Sequence, residues 1–359
     1  MAAALRRPVP ACALLLAAYV VLSLFNDPRG YLGTDTGGKV ATLEVMKERG
    51  DLDPDVGYWA EEWDPDGALH PLYYTAHVGH RWVNVTTLPM LYAGYPLYRL
   101  GGYRLTLLLP MLGSVLAALA ARALARRFGH GDGWLAFWLV GLASPLTIYA
   151  LDLWEHSLGV AAAAWAFVLL VDLVEQRRGW PAAGLAGLLF GAAATLRTES
   201  LVYGLVGVGG ACLVLLLLHR KPVLAVAAGA AASVGLAVPL QANLALEKAA
   251  LASDFRVTRA TGTAAAVGEA ARKRVEEALL NAWAITPAHR TSSYVVGAAL
   301  LAVLVFAATR ATRQATAGPA AVALCGAAAF YLIRFALGPG FVPGLVAATP
   351  LAAAGLALG

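Results

Sequence analysis

The feature that most constrains this chain is the recurrence of uninterrupted apolar runs, each near the roughly 20 residues a helix needs to cross a bilayer. They fall at about 10–25, 105–121, 134–151, 158–174, 181–196, 201–218, 223–240, 294–309, 319–337 and 341–359, ten spans in all. Inside hydrocarbon every backbone N–H and C=O has to be satisfied within the protein, and a continuous run of this length does so as a helix. The expected fold is therefore an all-α polytopic membrane protein of about ten transmembrane helices. Composition supports this: 59% of the 359 residues are hydrophobic and 14% charged, where a soluble domain carries about 25% charged. The net charge of +5 is read as orientation signal beside the spans, and nucleic acid is discounted as a partner. Cys12, Cys212 and Cys325 all lie inside apolar runs, with no spacing that suits a disulfide framework or a thiolate metal site.

Basic residues recur on alternate sides of these runs. Arg6–Arg7, Arg122 to Arg127, Arg177–Arg178, Arg220–Lys221 and Arg310 with Arg313 share one side, which the positive-inside rule makes the cytoplasm. The first run is expected to stay as an anchor, because no small-residue cleavage site follows it. A long insertion over 26–103, the turns at Asp152–His156 and Arg197–Ser200, and a second large loop over 242–293 then face outward. Within the insertion, Val40, Leu43 and Met46 recur at helical spacing among charges, as in a short interfacial helix. Tyr92, Tyr95 and Tyr98 follow as an interfacial aromatic belt, so two juxtamembrane helices are expected to flank an acidic, proline-broken loop. A further helix is expected over about 264–283. The last run reaches Gly359 without a polar tail, and a C-terminal portion is expected to be missing.

Three outward-facing stretches concentrate chemistry. The first, Gly30 to Lys39, places Asp35, Lys39 and four glycines where a span meets water. Asp35 is a candidate general base on an incoming hydroxyl, and Lys39, four residues on, can share its helical face. Asp35 also suits the role of helix N-cap, and the two roles are compatible. The second, Asp152-Leu153-Trp154-Glu155-His156, clusters three ionisable side chains with a tryptophan. Trp154 reads either as a sugar-stacking platform or as an interfacial anchor, and His156 as a hydrogen-bonding partner ahead of a metal ligand. The third, Arg197-Thr198-Glu199, sets a guanidinium that fits phosphate at the end of a span, with a local ion pair to Glu199 as the plain alternative. His70, His77 and His80, and the alternating Asp51, Asp53 and Asp55, read as loop residues, since neither set has the presentation that zinc or calcium needs.

With its first span followed by a long outer loop opening on Asp35, a second acidic turn at Asp152 to Glu155 and an arginine–acid pair at Arg197 and Glu199, the layout resembles the GT-C superfamily of polytopic membrane glycosyltransferases, including those like the protein mannosyltransferases. The likeness covers Met1 to about Gln241. It implies a GT-C-like fold as a single transmembrane domain over 1–359, in a bacterial plasma membrane, with the active site facing outward. It also implies transfer of a sugar from a polyprenyl-phosphate donor to a hydroxyl of a glycan, lipid or protein acceptor, with inversion. On the matching positions, Asp35 would be the catalytic base and Glu155 a reserve base. Lys39, Asp152, Trp154, His156, Arg197 and Glu199 would bind substrate. Members of the superfamily often carry Asp-Glu or Asp-x-Asp at the first site, whereas Asp35 precedes Thr36 and Gly37. No fixed cofactor is implied, and a divalent cation stays open. The competing reading is a transporter or flippase of a lipid-linked glycan.

Overall fold

A computed structural model describes residues 8–26, 35–72, 75–84, 87–128 and 131–251. Among these, the chain is mostly helical: α1 (Pro8–Ser23), α2 (Asp35–Arg49), α3 (Leu88–Thr106), α4 (Leu108–Arg127), α5 (Trp134–Leu142), α6 (Leu146–Ala150), α7 (His156–Val174), α8 (Pro181–Leu196), α9 (Ser200–Leu213) and α10 (Pro222–Leu251). One hairpin, β1 (Thr75–Val78) with β2 (Arg81–Asn84), lies in the insertion, pairing antiparallel with Thr75 opposite Asn84 and Val78 opposite Arg81. Among the described residues four helical segments are long and apolar enough to cross a membrane: α4, α7, α9 extended by a π-helical turn to Leu218, and α10; α1 and α8 are shorter apolar helices. The three apolar runs after residue 251 and the helix expected over 264–283 lie outside the described residues.

The bundle is arranged around α7, which packs on α4 along one side and α8 along the other. Its apolar stretch is 83% buried against 22% for α10, which makes α7 the axis and leaves α10 an outward face of Val223, Val226, Val234 and Val238. Small residues permit the close approach: Gly113 of α4 leaves no room for a Cβ, with the backbone N of Leu158 2.6 Å from where one would sit. The Ser157 hydroxyl donates to the Pro110 carbonyl at 2.8 Å and fastens the same contact. Prolines open α8 and α10, where a missing N–H costs nothing, and Pro89 does the same for α3.

The expected spans over 158–174 and 181–196 correspond closely to α7 and α8. Elsewhere the boundaries move. The run over 134–151 is two helices, because Ser144 and Pro145 interrupt it: the Ser144 hydroxyl bonds back to the Val140 carbonyl and accepts from the Leu146 amide. α10 continues to Leu251, so the first ten residues assigned to the second large loop are helix. In the insertion both helices exist, but they pack on each other. α2 buries a stripe of Thr36, Lys39, Leu43 and Met46, and Tyr95 and Tyr98, expected as an interfacial belt, face it. The Tyr95 hydroxyl donates to the Met46 carbonyl at 3.2 Å and that of Tyr98 bonds Glu44.

Asp51, Asp53 and Asp55 form successive turns, each carboxylate accepting the amide two residues on, and Asp55 also accepts the Trp82 amide. His70 and His77 stack on the Trp82 ring.

Candidate functional site

α2, α7, α8 and α9 bring their ends together at the end of the bundle that carries the insertion. α7 starts there with Glu155 as its N-cap, α8 ends there with Arg197, and α9 starts with Glu199 as N-cap. α2 brings Lys39 in from the insertion. Gly38 makes that approach possible, since a Cβ at that position would overlap the Asn84 side chain of β2. Close by, the Asn26 side-chain amide donates to the Leu151 carbonyl at 2.5 Å and Arg104 donates to the Ser23 carbonyl at 2.9 Å, which ties α1 and α3 to the same end.

The four ionic side chains alternate in sign. Lys39 Nζ lies 2.8 Å from Glu155 Oε2, Arg197 Nη1 3.3 Å from Glu155 Oε1, and Arg197 Nε 2.9 Å from Glu199 Oε1. Lys39 is 1% exposed, Glu155 4%, Glu199 6% and Arg197 19%, so Arg197 is the member of the chain with the most open edge. Burial alone would push the Glu155 carboxyl up, but the Lys39 ammonium, joined by Arg197, outweighs it and holds the group well below the usual carboxylate range. A carboxylate held so firmly in its ionised form is a fixed counter-ion and a weak proton acceptor.

Next to this chain, Asp152 accepts the Thr36 hydroxyl at 2.5 Å and the Leu153 amide at 2.8 Å. Burial raises its carboxyl above the ordinary aspartate value, against the pull of the Thr36 bond, and the charge of Asp35 adds to the rise. Asp35 thus stands close to Asp152 in the first turn of α2, half-buried, and none of the ion pairs among the described residues involves it. Tyr149, Trp154 and His156 make an aromatic stack, with Tyr149 and His156 nearly parallel at 4.6 Å and Trp154 4.8 Å from His156. His156 is 3% exposed, yet neither ring nitrogen has a hydrogen-bond partner, and the buried Trp154 Nε1 lacks one as well. Unpaired buried donors and acceptors cost roughly 1–3 kcal/mol each. Three such atoms lie on two adjoining rings.

All three stretches singled out in the sequence meet here. Asp35, Lys39, Asp152, Trp154, Glu155, His156, Arg197 and Glu199 lie in one cluster, although Lys39 and Glu155 are spent on each other. Thr36 and Tyr149 belong to it and were not anticipated. Thr36 shares the buried stripe of α2 with Lys39, and that stripe was its only signal. Among the described residues no three His, Cys, Asp or Glu side chains are grouped so as to hold a metal ion. Comparison with protein-family models, with curated proteins and with solved structures finds no match.

Proposed function

We propose that the chain is an integral-membrane glycosyltransferase that moves a sugar from a polyprenyl-phosphate donor to an acceptor hydroxyl on the extracytoplasmic face. The observation that carries this reading is the convergence of a half-buried aspartate, a buried chain of alternating charges and an unsatisfied aromatic stack at one end of a bundle of membrane-length helices. These are the parts such a transfer needs: a base, a cation for the phosphate and a platform for the sugar.

In this mechanism Asp35 accepts the acceptor's hydroxyl proton as its oxygen attacks the anomeric carbon. The new carbon–oxygen bond forms as the bond from that carbon to the phosphate oxygen breaks, with inversion. Polyprenyl phosphate leaves with the electron pair, and Arg197 meets its growing charge. Glu155 and Glu199 grip Arg197 from two sides and fix its orientation, and Lys39 fixes Glu155 in turn. Glu155 is thereby a positioning residue. The sugar lies against Trp154, with its hydroxyls paired to the His156 ring and to Asp152.

The test is reconstitution of the full chain in vesicles with radiolabelled polyprenyl-phosphate sugars and a panel of glycan, lipid and protein acceptors. Label transferred to an acceptor is the expected result. Lipid-linked sugar that crosses the bilayer without transfer would overturn the enzyme in favour of a flippase.

A further inference from the structure

At the opposite end of the bundle two turns are tied together. Gln176, after α7, and Arg220, before α10, are the non-glycine residues with positive φ among those described, at 60° and 55°. Gln176 bridges the turns: its amide nitrogen donates to His219 Nδ1 at 3.2 Å and its amide oxygen accepts from Lys221 Nζ at 2.5 Å. Beyond the turns α8 and α10 are held backbone to backbone, with Gly184, Gly187 and Gly191 against Ala231, Ala232 and Leu236; a Cβ at Gly191 would stand 2.5 Å from the Leu236 carbonyl oxygen. Short of these contacts lies an open groove of about 500 Å³, lined by Trp180, Lys221, Pro222, Val223, Leu224 and Ala227.

The walls of this groove are apolar except at Lys221, which Arg220 precedes in the chain. Two of the nearby arginines are committed, Arg177 to Glu175 at 2.8 Å and Arg178 to Asp172 at 3.4 Å. None of the ion pairs among the described residues involves Arg220 or Lys221. Trp180 is 53% exposed and Val223 82%. A free anion gains nothing from an apolar groove, and a neutral lipid gains nothing from two cations that no carboxylate neutralises, Lys221 being held by the neutral Gln176 amide. An anionic lipid uses both, and the groove lies at the start of α10, a helix long and apolar enough to cross a membrane.

We propose that this groove is a binding site for an anionic phospholipid, with the phosphate against Lys221 and Arg220 and an acyl chain along Val223, Leu224 and Ala227. Trp180 sits at the level of the glycerol. The site is independent of the sugar-transfer reading and is tested without it.

The experiment is native mass spectrometry of the purified full chain in detergent, titrated with dioleoyl phosphatidylglycerol or dioleoyl phosphatidylcholine. Phosphatidylglycerol is expected to bind at least about 10-fold more tightly, and Lys221→Gln and Arg220→Gln each to weaken it about 5-fold, with phosphatidylcholine unchanged. Ala227→Phe fills the groove with both cations in place and is expected to weaken phosphatidylglycerol by a similar factor; Leu224→Trp fills it a second way should that variant not fold. Equal binding of the two lipids would overturn the site. So would wild-type phosphatidylglycerol binding in a folded groove-filled variant, which would reduce the contact to a basic surface.

Discussion

Asp172 in the last turn of α7 and Glu155 at its N-cap are both buried carboxylates, each 4% exposed and each within reach of two cations, about 25 Å apart along one helix. Around Asp172 the pairing is complete. Arg127 grips both carboxylate oxygens, at 2.6 and 2.8 Å, and the second cation, Arg178, is 59% exposed and faces water. Around Glu155 the second cation is Lys39, 1% exposed and delivered by the insertion, and unpaired ring nitrogens stand alongside. The same components therefore serve two purposes. A two-pronged arginine with one carboxylate joins α4 to α7 and asks for nothing further. A chain of one buried and one partly buried cation with two buried carboxylates beside unsatisfied rings is a costly arrangement for structure alone, since buried ion pairs seldom stabilise a fold more than apolar packing does. It fits the proposed site.

The largest expected effect comes from Lys39→Met, which leaves Glu155 buried with half of its countercharge. Breaking a buried pair from one side costs about 3–5 kcal/mol. The unfolding midpoint in detergent should drop accordingly, and Glu155→Gln added to the same chain should restore part of it without restoring transfer. Full recovery of both would make the ion chain structural, like its counterpart. Asp172→Asn should cost less, about 1–3 kcal/mol, because Arg127 and Arg178 regain water once released. Its transfer rate per folded molecule should stay within about 2-fold of wild type, the size of effect expected where a mutation touches neither the substrate nor the transition state.

His156→Phe sharpens the comparison in the other direction. The ring keeps its stack on Tyr149 and loses two unpaired polar atoms, so stability should hold or rise by about 1 kcal/mol while transfer falls about 10-fold. A loss of stability would mean that the imidazole is satisfied within the protein. The smallest effect is on acid stability. Glu155 is held below its ordinary value, so between that value and the folded one the unfolded chain binds the extra proton. Its contribution is present above the ordinary glutamate range and is lost as the pH falls below it. Thermal midpoints of wild type should decline more steeply there than those of Glu155→Gln.

Much of this was legible in the sequence. The apolar runs at 158–174 and 181–196 gave α7 and α8 closely, because each is a continuous buried stretch framed by charge, turn residues or proline. The three polar stretches singled out in the sequence lie together at one end of the bundle, as expected of ionisable residues beside membrane spans. Of the pairings there, Arg197 with Glu199 was legible as a local ion pair, and Lys39 with Glu155 was not. Lys39 sits on the α2 stripe at Thr36, Leu43 and Met46, spacing that a search for apolar residues passes over, and its partner Glu155 is 116 residues away. The hairpin at Thr75–Asn84 was missed because both strands are short and carry histidine and arginine, and the break in the 134–151 run because periodicity does not register a single Ser-Pro interruption.

The most direct measurement is sugar transfer, per folded molecule, by membranes carrying Asp35→Asn beside membranes carrying Asp172→Asn. Transfer reduced by about 10²–10⁴-fold in the first and close to wild type in the second places the chemistry at the insertion end of α7. Wild-type transfer by Asp35→Asn, or equal losses in both, would contradict that placement.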